Sequence, residues 1–71
     1  DSDFKSKMIE WSQKENKPIR FELVGEDGKG HEKYYTVNLL INNEVVGTGK
    51  GFSKKLAEQM AAEIVTSKLG I

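Results

Sequence analysis

The first part of the chain has the apolar spacing of a helix. From Asp1 to about Asn16, apolar and polar positions recur with a period of about 3.6 residues. At about 100° per residue, one face is apolar and carries Phe4, Met8 and Trp11. A second, mixed face carries Ser6, Ile9, Glu10 and Gln13. Ser2 or Asp3 is a suitable N-cap, and Pro18 ends the segment because the residue before a proline avoids helical backbone angles.

The middle of the chain predicts three strands. The first covers Ile19–Val24, with Phe21 and Leu23 on one face, and a glycine-rich loop follows over Gly25–Glu32. Lys33–Ile41 alternates as a strand does. Its predicted inward set is Tyr35, Val37, Leu39 and Ile41, and its outward set is Thr36, Asn38 and Leu40. Asn42-Asn43 is a hairpin signal because asparagine tolerates positive φ, and a third strand covers Glu44–Lys50.

The last segment predicts a second helix. It begins at Ser53, ends near Leu69 and is expected to bury Ala57, Met60, Ala61, Ile64 and Val65. The order is therefore α-β-β-β-α, an α+β fold. We expect one domain over residues 1–71, with a three-stranded antiparallel sheet covered on one face by both helices.

Composition excludes several classes of function. The chain contains no cysteine and one histidine, which excludes disulfides and thiolate metal sites and argues against zinc. No apolar run reaches the roughly 18 residues of a membrane span. We expect a soluble, cytoplasmic protein with no membrane contact and no small-molecule cofactor. Eleven basic and eleven acidic residues cancel, so any affinity for a polyanion depends on how the charges are distributed.

One short run concentrates positive charge. Residues 47–57 contain Lys50, Lys54 and Lys55 and no acid. Lys54 and Lys55 follow Ser53 at a predicted helix N-terminus, where unpaired N–H groups and the helix dipole already favour anions. Such a site suits a repeating phosphate backbone better than a neutral ligand. A nucleotide-hydrolysing P-loop is not indicated, because its Gly-x-x-x-x-Gly-Lys-Ser/Thr pattern is not met.

The same run carries a family resemblance. Gly47-Thr48-Gly49-Lys50-Gly51 followed by Ser53-Lys54-Lys55-Leu56-Ala57 resembles the most specific stretch of the double-stranded RNA-binding domain. The resemblance covers essentially the whole chain. Within that family, the run from Asp3 to Trp11 and Lys54-Lys55-Leu56-Ala57-Glu58-Gln59 look like the C-terminal domain of bacterial ribonuclease III. This implies a module that binds double-stranded RNA and has no catalytic residues of its own.

The resemblance implies three RNA-contacting regions. Ser6 and Glu10 match first-helix positions that touch 2′-hydroxyls and base edges in a minor groove. His31 matches a loop histidine that enters the next minor groove, although the proline usual in that loop is absent here. Lys54 and Lys55 match a pair that binds phosphates across the intervening major groove, and Lys50 is a further candidate. Ile9 stands where relatives often have glutamine, and Glu58 replaces a lysine of many members.

Two wider expectations follow from the resemblance. The parent protein would cleave duplex RNA, including ribosomal RNA precursors, with Mg²⁺ held by acidic residues of a separate domain. The present chain would be a monomer and the parent a homodimer. The alternative is a domain of the same fold that binds protein or dimerises, which the zero net charge, Ile9 and Glu58 favour.

Overall fold

The computed structural model describes residues 3–30 and 32–71. The elements in chain order are α1 (Phe4–Glu15), β1 (Ile19–Asp27), β2 (Tyr34–Ile41), β3 (Glu44–Gly51) and α2 (Lys54–Leu69). The strands form one antiparallel sheet in the order β1-β2-β3. The predicted element order and sheet are therefore confirmed.

Both helices begin at a side-chain cap. Asp3 is the N-cap of α1 and accepts a hydrogen bond from the Ser6 N–H. The other candidate, Ser2, lies outside the described residues. Ser53 caps α2 in the same way, accepting from the N–H of Leu56 at 3.0 Å. These caps satisfy N–H groups that have no partner within the helix.

The first strand is longer than predicted. β1 continues to Asp27, past the expected end at Val24, because a register shift between Leu23 and Gly25 lets pairing with β2 resume. An ion pair between Lys33 and Glu26, at 3.3 Å, lies at the end of the β1–β2 ladder. β3 likewise extends one residue further than predicted, to Gly51. The β1–β2 connection is correspondingly shorter than the loop that its glycines suggested.

Glycines on β3 allow α2 to pack directly on the sheet. A Cβ atom added at Gly49 would lie 2.2 Å from the Ala61 nitrogen and 2.3 Å from the Ala57 carbonyl oxygen. One added at Gly47 would lie 2.6 Å from the Val65 side chain. α1 packs mainly on α2 and touches β1. Both helices thus cover one face of the sheet, as predicted.

The core is small and lies between the two helices and the sheet. Its buried cluster consists of Met8, Leu39, Ala61, Ala62 and Val65, with Phe4 and Trp11 packed against it. The apolar face predicted for the first helix is therefore confirmed, and Trp11 contributes to packing. Burying a Met, Leu or Val side chain contributes about 1.5–3 kcal/mol.

The buried face of α2 differs from the prediction. Met60 and Ile64 are 38% and 39% exposed, whereas Ala62 and Thr66 are fully buried. The reason is that α2 has two packing partners. Ala57, Ala61 and Val65 of α2 pack on the sheet, and a neighbouring side of the helix packs on α1. The buried surface of α2 is therefore centred away from Met60 and Ile64.

Leu40 also differs from the prediction, since only 5% of this outward-assigned residue is exposed. It lies on the central strand, opposite Arg20 on β1 and Val45 on β3, where a register shift interrupts the β2–β3 ladder. A side chain on a central strand is flanked by strands on both sides, whereas alternation along one strand takes no account of them. Burial on this strand therefore does not follow strict alternation.

Candidate nucleic-acid interface

The sheet topology brings two of the predicted regions to one end of the molecule. β2 runs antiparallel to both neighbours, so it begins where β1 and β3 end: Asp27 faces Tyr34, and Gly51 faces Tyr35. The β1–β2 loop and the N-terminus of α2 therefore lie at the same end of the sheet. Gly28 and Gly30 of this loop have φ of 97° and 63°. The predicted contact His31 lies outside the described residues.

Lys54 and Lys55 form the first turn of α2, and both are exposed. The hydroxyl of Ser53 accepts a hydrogen bond from the Leu56 N–H, and the N–H groups of Lys54 and Lys55 have no partner within the helix. Just before the cap, the ring of Phe52 packs edge-on against Tyr34 with centroids 4.8 Å apart, which connects the start of α2 to the start of β2. The arrangement presents two full charges and a helix dipole to an anion.

Lys50 is separated from this pair. Cβ atoms at Gly49 and Gly51 would point at α2, so the residue between them points to the opposite face of the sheet. Lys50 is exposed there, across from Thr36 on β2. The structure thus does not bring the Lys50 side chain to the helix-covered face that carries Lys54 and Lys55.

The mixed face of α1 is exposed as predicted. Ser6 and Glu10 are both accessible, and Ile9 is 40% exposed between them. In the described part of the chain, Glu10 makes no ion pair. Both predicted contacts of the first helix therefore have free access to a large ligand.

An interhelical network joins the first turn of α1 to the second turn of α2. We use this name for Asp3, Lys5, Ser6, Glu58 and Gln59. The Gln59 Nε2 donates to Asp3 Oδ1 at 2.8 Å, while Gln59 Oε1 accepts from the backbone N–H of Lys5 at 3.3 Å. Hydrogen bonds from Gln59 and then from Ser6 hold the pKa of the Asp3 carboxyl below its ordinary value.

The network fixes the relative position of the two predicted contact elements. Ser6 lies three residues after Asp3 on α1, and Lys55 lies four residues, about one turn, before Gln59 on α2. This connection could not be predicted from the sequence. Its only local signal was the acid at the helix start, because the partners are more than fifty residues apart in sequence.

Glu58 has a partner that its sequence position did not reveal. Its carboxylate accepts from the Lys5 ammonium at 2.8 Å, and the Lys5 Nζ also lies 5.5 Å from the ring centroid of Phe21. The negative charge of Glu58 is therefore balanced by a nearby cation. Within residues 3–30 and 32–71, no three acidic or histidine side chains are grouped to hold a metal ion. None of the described helices is long and apolar enough to cross a membrane.

Comparison with known proteins gives a consistent result. The family model for the double-stranded RNA binding motif matches residues 4–69. Ribonuclease 3 of Clostridium perfringens (strain 13 / Type A) is 44% identical over 69 residues, which cover 96% of this chain and 29% of that protein. Ribonuclease 3 of onion yellows phytoplasma (strain OY-M) is 39% identical over 67 residues, or 94% of this chain and 28% of that one.

Solved structures agree with this match. A structure of Arabidopsis HYL1, described for its implications in miRNA processing, superposes with a TM-score of 0.81 at 30% identity and covers 96% of this chain and 97% of that one. The second such domain of DRB4 superposes with a TM-score of 0.68 at 25% identity, covering 94% of each chain. The present chain spans less than a third of the length of the ribonucleases that it matches.

Proposed function

Because the chain belongs to the double-stranded RNA binding motif family, we propose that it binds duplex RNA by recognising the shape of the A-form helix. The observation that carries the proposal is the joining of an exposed polar face of α1, with Ser6 and Glu10, to the lysine pair at the start of α2. The two surfaces are connected by the interhelical network and hold a fixed spacing.

The shape of duplex RNA explains why such a spacing is useful. The A-form major groove is deep and narrow, whereas the minor groove is shallow and lined with 2′-hydroxyls. A protein of this class spans about 16 base pairs, contacting two minor grooves and the phosphates between them. Ser6 and Glu10 would meet one minor groove, and Lys54 and Lys55 would bind the phosphates. His31 would meet the second minor groove, and Lys50 would contribute charge from the other face of the sheet.

We further propose that the chain is the RNA-recognition domain of a ribonuclease III. The support is the identity of 44% and 39% with two ribonucleases 3, of which it covers 29% and 28%. The parent enzyme would act in the cytoplasm as a homodimer on precursors such as ribosomal RNA. Its divalent metal would be Mg²⁺, held in a separate catalytic domain, while the present chain alone is a monomer that binds RNA without cleaving it.

A binding titration tests the central proposal. Duplex RNA, duplex DNA of the same sequence and the single strands are titrated against the chain at several salt concentrations. We expect binding to duplex RNA to exceed binding to duplex DNA, with little dependence on base sequence. Affinity should fall steeply with salt, because the lysines of the protein displace counterions that are condensed on the phosphates. Equal affinity for both duplexes would refute the proposal.

One observation favours a second candidate, a protein-interaction or dimerisation surface. Leu56, Met60 and Ile64 recur every fourth residue along α2 and are 43%, 38% and 39% exposed, beside the edge strand β3. Sedimentation equilibrium of the free chain tests this alternative. A concentration-dependent dimer that Ile64→Glu abolishes would support it, and a monomer at all concentrations would contradict it for self-association.

A further inference from the structure

The proton of the Ser6 hydroxyl is used in a hydrogen bond to Asp3. The Ser6 Oγ donates to Asp3 Oδ2 at 2.8 Å. The direction of this bond is fixed, because an ionised carboxylate can only accept. The other carboxylate oxygen accepts from the Ser6 N–H at 3.2 Å and from Gln59 Nε2 at 2.8 Å. Asp3 thus accepts three hydrogen bonds with two oxygens, and a neutral side chain of the same shape could not reproduce all three.

The amide of Gln59 is equally constrained. One side of it meets a backbone N–H, that of Lys5, which can only donate. The other side meets the Asp3 carboxylate, which can only accept. The amide oxygen and nitrogen therefore have one consistent orientation. As a result, Gln59 holds the Asp3 carboxylate through Oδ1, and the same carboxylate orients the Ser6 hydroxyl through Oδ2.

We propose that Asp3 is a positioning residue for RNA recognition, because it holds the Ser6 hydroxyl as a hydrogen-bond acceptor towards the RNA. A serine hydroxyl has one proton and two lone pairs. With the proton bound to Asp3, Ser6 presents only lone pairs outward. The groups in the minor groove that donate to a lone pair and that DNA lacks are the 2′-hydroxyls. This inference rests on the proposed function and adds the residue that gives Ser6 its preference for RNA.

The Asp3→Asn variant separates this role from helix capping. Asparagine is as good an N-cap as aspartate, so α1 should remain intact. Its one oxygen can still accept from the Ser6 and Gln59 N–H groups, but its amino group now faces the Ser6 Oγ as a donor. The hydroxyl must then accept from Asn and direct its own proton outward, towards a donor. The variant also removes one negative charge, which by itself would strengthen binding to any polyanion.

The experiment compares duplex RNA and duplex DNA of one sequence. Wild type, Asp3→Asn, Ser6→Ala and the double variant are titrated, with Glu15→Gln at the other end of α1 as the control for charge. For Asp3→Asn we expect RNA affinity to fall about 3- to 10-fold, the range of a lost hydrogen bond, while DNA affinity stays equal or rises. Ser6→Ala should lower the RNA-to-DNA ratio similarly, and the double variant should add little to either.

The outcomes are separable. RNA affinity of Asp3→Asn equal to that of Glu15→Gln, or an equal fall for both duplexes, would overturn the inference. So would full additivity in the double variant, because Asp3 and Ser6 would then act independently. A thermal melt verifies folding, and Asp3→Ser, which keeps a capping oxygen, is expected to give the same loss if Asp3→Asn is unstable. A wild-type chain without preference for RNA refutes the proposed function itself, which the same titration reveals first.

Discussion

Replacing Gly49 with alanine tests how closely α2 must approach the sheet. The added methyl group would lie 2.2 Å from the Ala61 nitrogen and 2.3 Å from the Ala57 carbonyl oxygen, whereas ordinary contact begins at 3.4 Å. Both neighbours are backbone atoms, so no rotamer change can relieve the overlap. Relief requires α2 to move away from β3 by about 1 Å.

The expected cost follows from that displacement. A gap of about 0.5–1 Å removes a quarter to a half of the dispersion energy of each contact that it opens. Overpacking in a core costs about 1–3 kcal/mol, and a clash with helix backbone belongs at the upper end. For a domain of this size about 3 kcal/mol corresponds to a fall in Tm of roughly 12–24 °C.

The matched control is Gly25→Ala, since Gly25 also lies in a strand and has no positive φ. Its added methyl group would lie 3.8 Å from the Thr36 Cβ, an ordinary contact. We expect this change to be neutral or stabilising by up to about 1 kcal/mol, because alanine restricts the unfolded chain. Thermal melts of both variants are the measurement. A Gly49→Ala protein with the Tm of the control would show that the close approach of α2 is not required.

Three further predictions concern the binding surface and the network. Replacing Lys54 and Lys55 with alanine should weaken duplex RNA binding at least tenfold, about 1.4 kcal/mol, with Tm nearly unchanged. The control Lys68→Ala, at the far end of α2, should leave RNA binding unchanged. A folded double variant that binds RNA like wild type would contradict the phosphate contacts. Ile9→Gln should strengthen RNA binding by about 0.5–1.5 kcal/mol without affecting the core, and a large fall in Tm would show that Ile9 packs inside. Finally, the folded pKa of Asp3 is lowered from 3.8, so its stabilisation is complete above that value and is lost as pH falls through the folded pKa. The Tm deficit of Asp3→Asn should therefore stay constant from about pH 7 to 5 and narrow below about pH 4; a constant deficit into acid would contradict this.

The elements could be predicted because their signals are local. Asp3 and Ser53 as caps, the Asn42-Asn43 turn and the Phe4, Met8 and Trp11 face all depend on residues within a few positions of each other. The family resemblance supplied the function for the same reason, since its motif is a continuous run. The positions of Ser6, Glu10, Lys54 and Lys55 as contacts remain predictions that the exposed surfaces accommodate.

What could not be predicted depends on contacts between distant parts of the chain. Helical spacing alone placed Met60 and Ile64 inside, because it assumes a single packing partner, whereas α2 contacts both α1 and the sheet. Alternation alone placed Leu40 outside, because it takes no account of the neighbouring strands. The bond between Gln59 and Asp3 joins residues 56 positions apart, and no local pattern indicates such a pair.

The ion pair between Lys5 and Glu58 constrains how this domain can acquire higher affinity. A lysine at position 58 would add a positive charge one turn from Lys54 and Lys55. It would also face the Lys5 ammonium from the place where the carboxylate now lies 2.8 Å away. Glu58→Lys alone thus replaces the attraction between Lys5 and residue 58 with a repulsion between the two helices. The repulsion is removed when Lys5 has changed to a neutral or acidic residue. The two positions are therefore epistatic, and the order of substitutions decides whether an evolutionary path to tighter RNA binding passes through a destabilised intermediate.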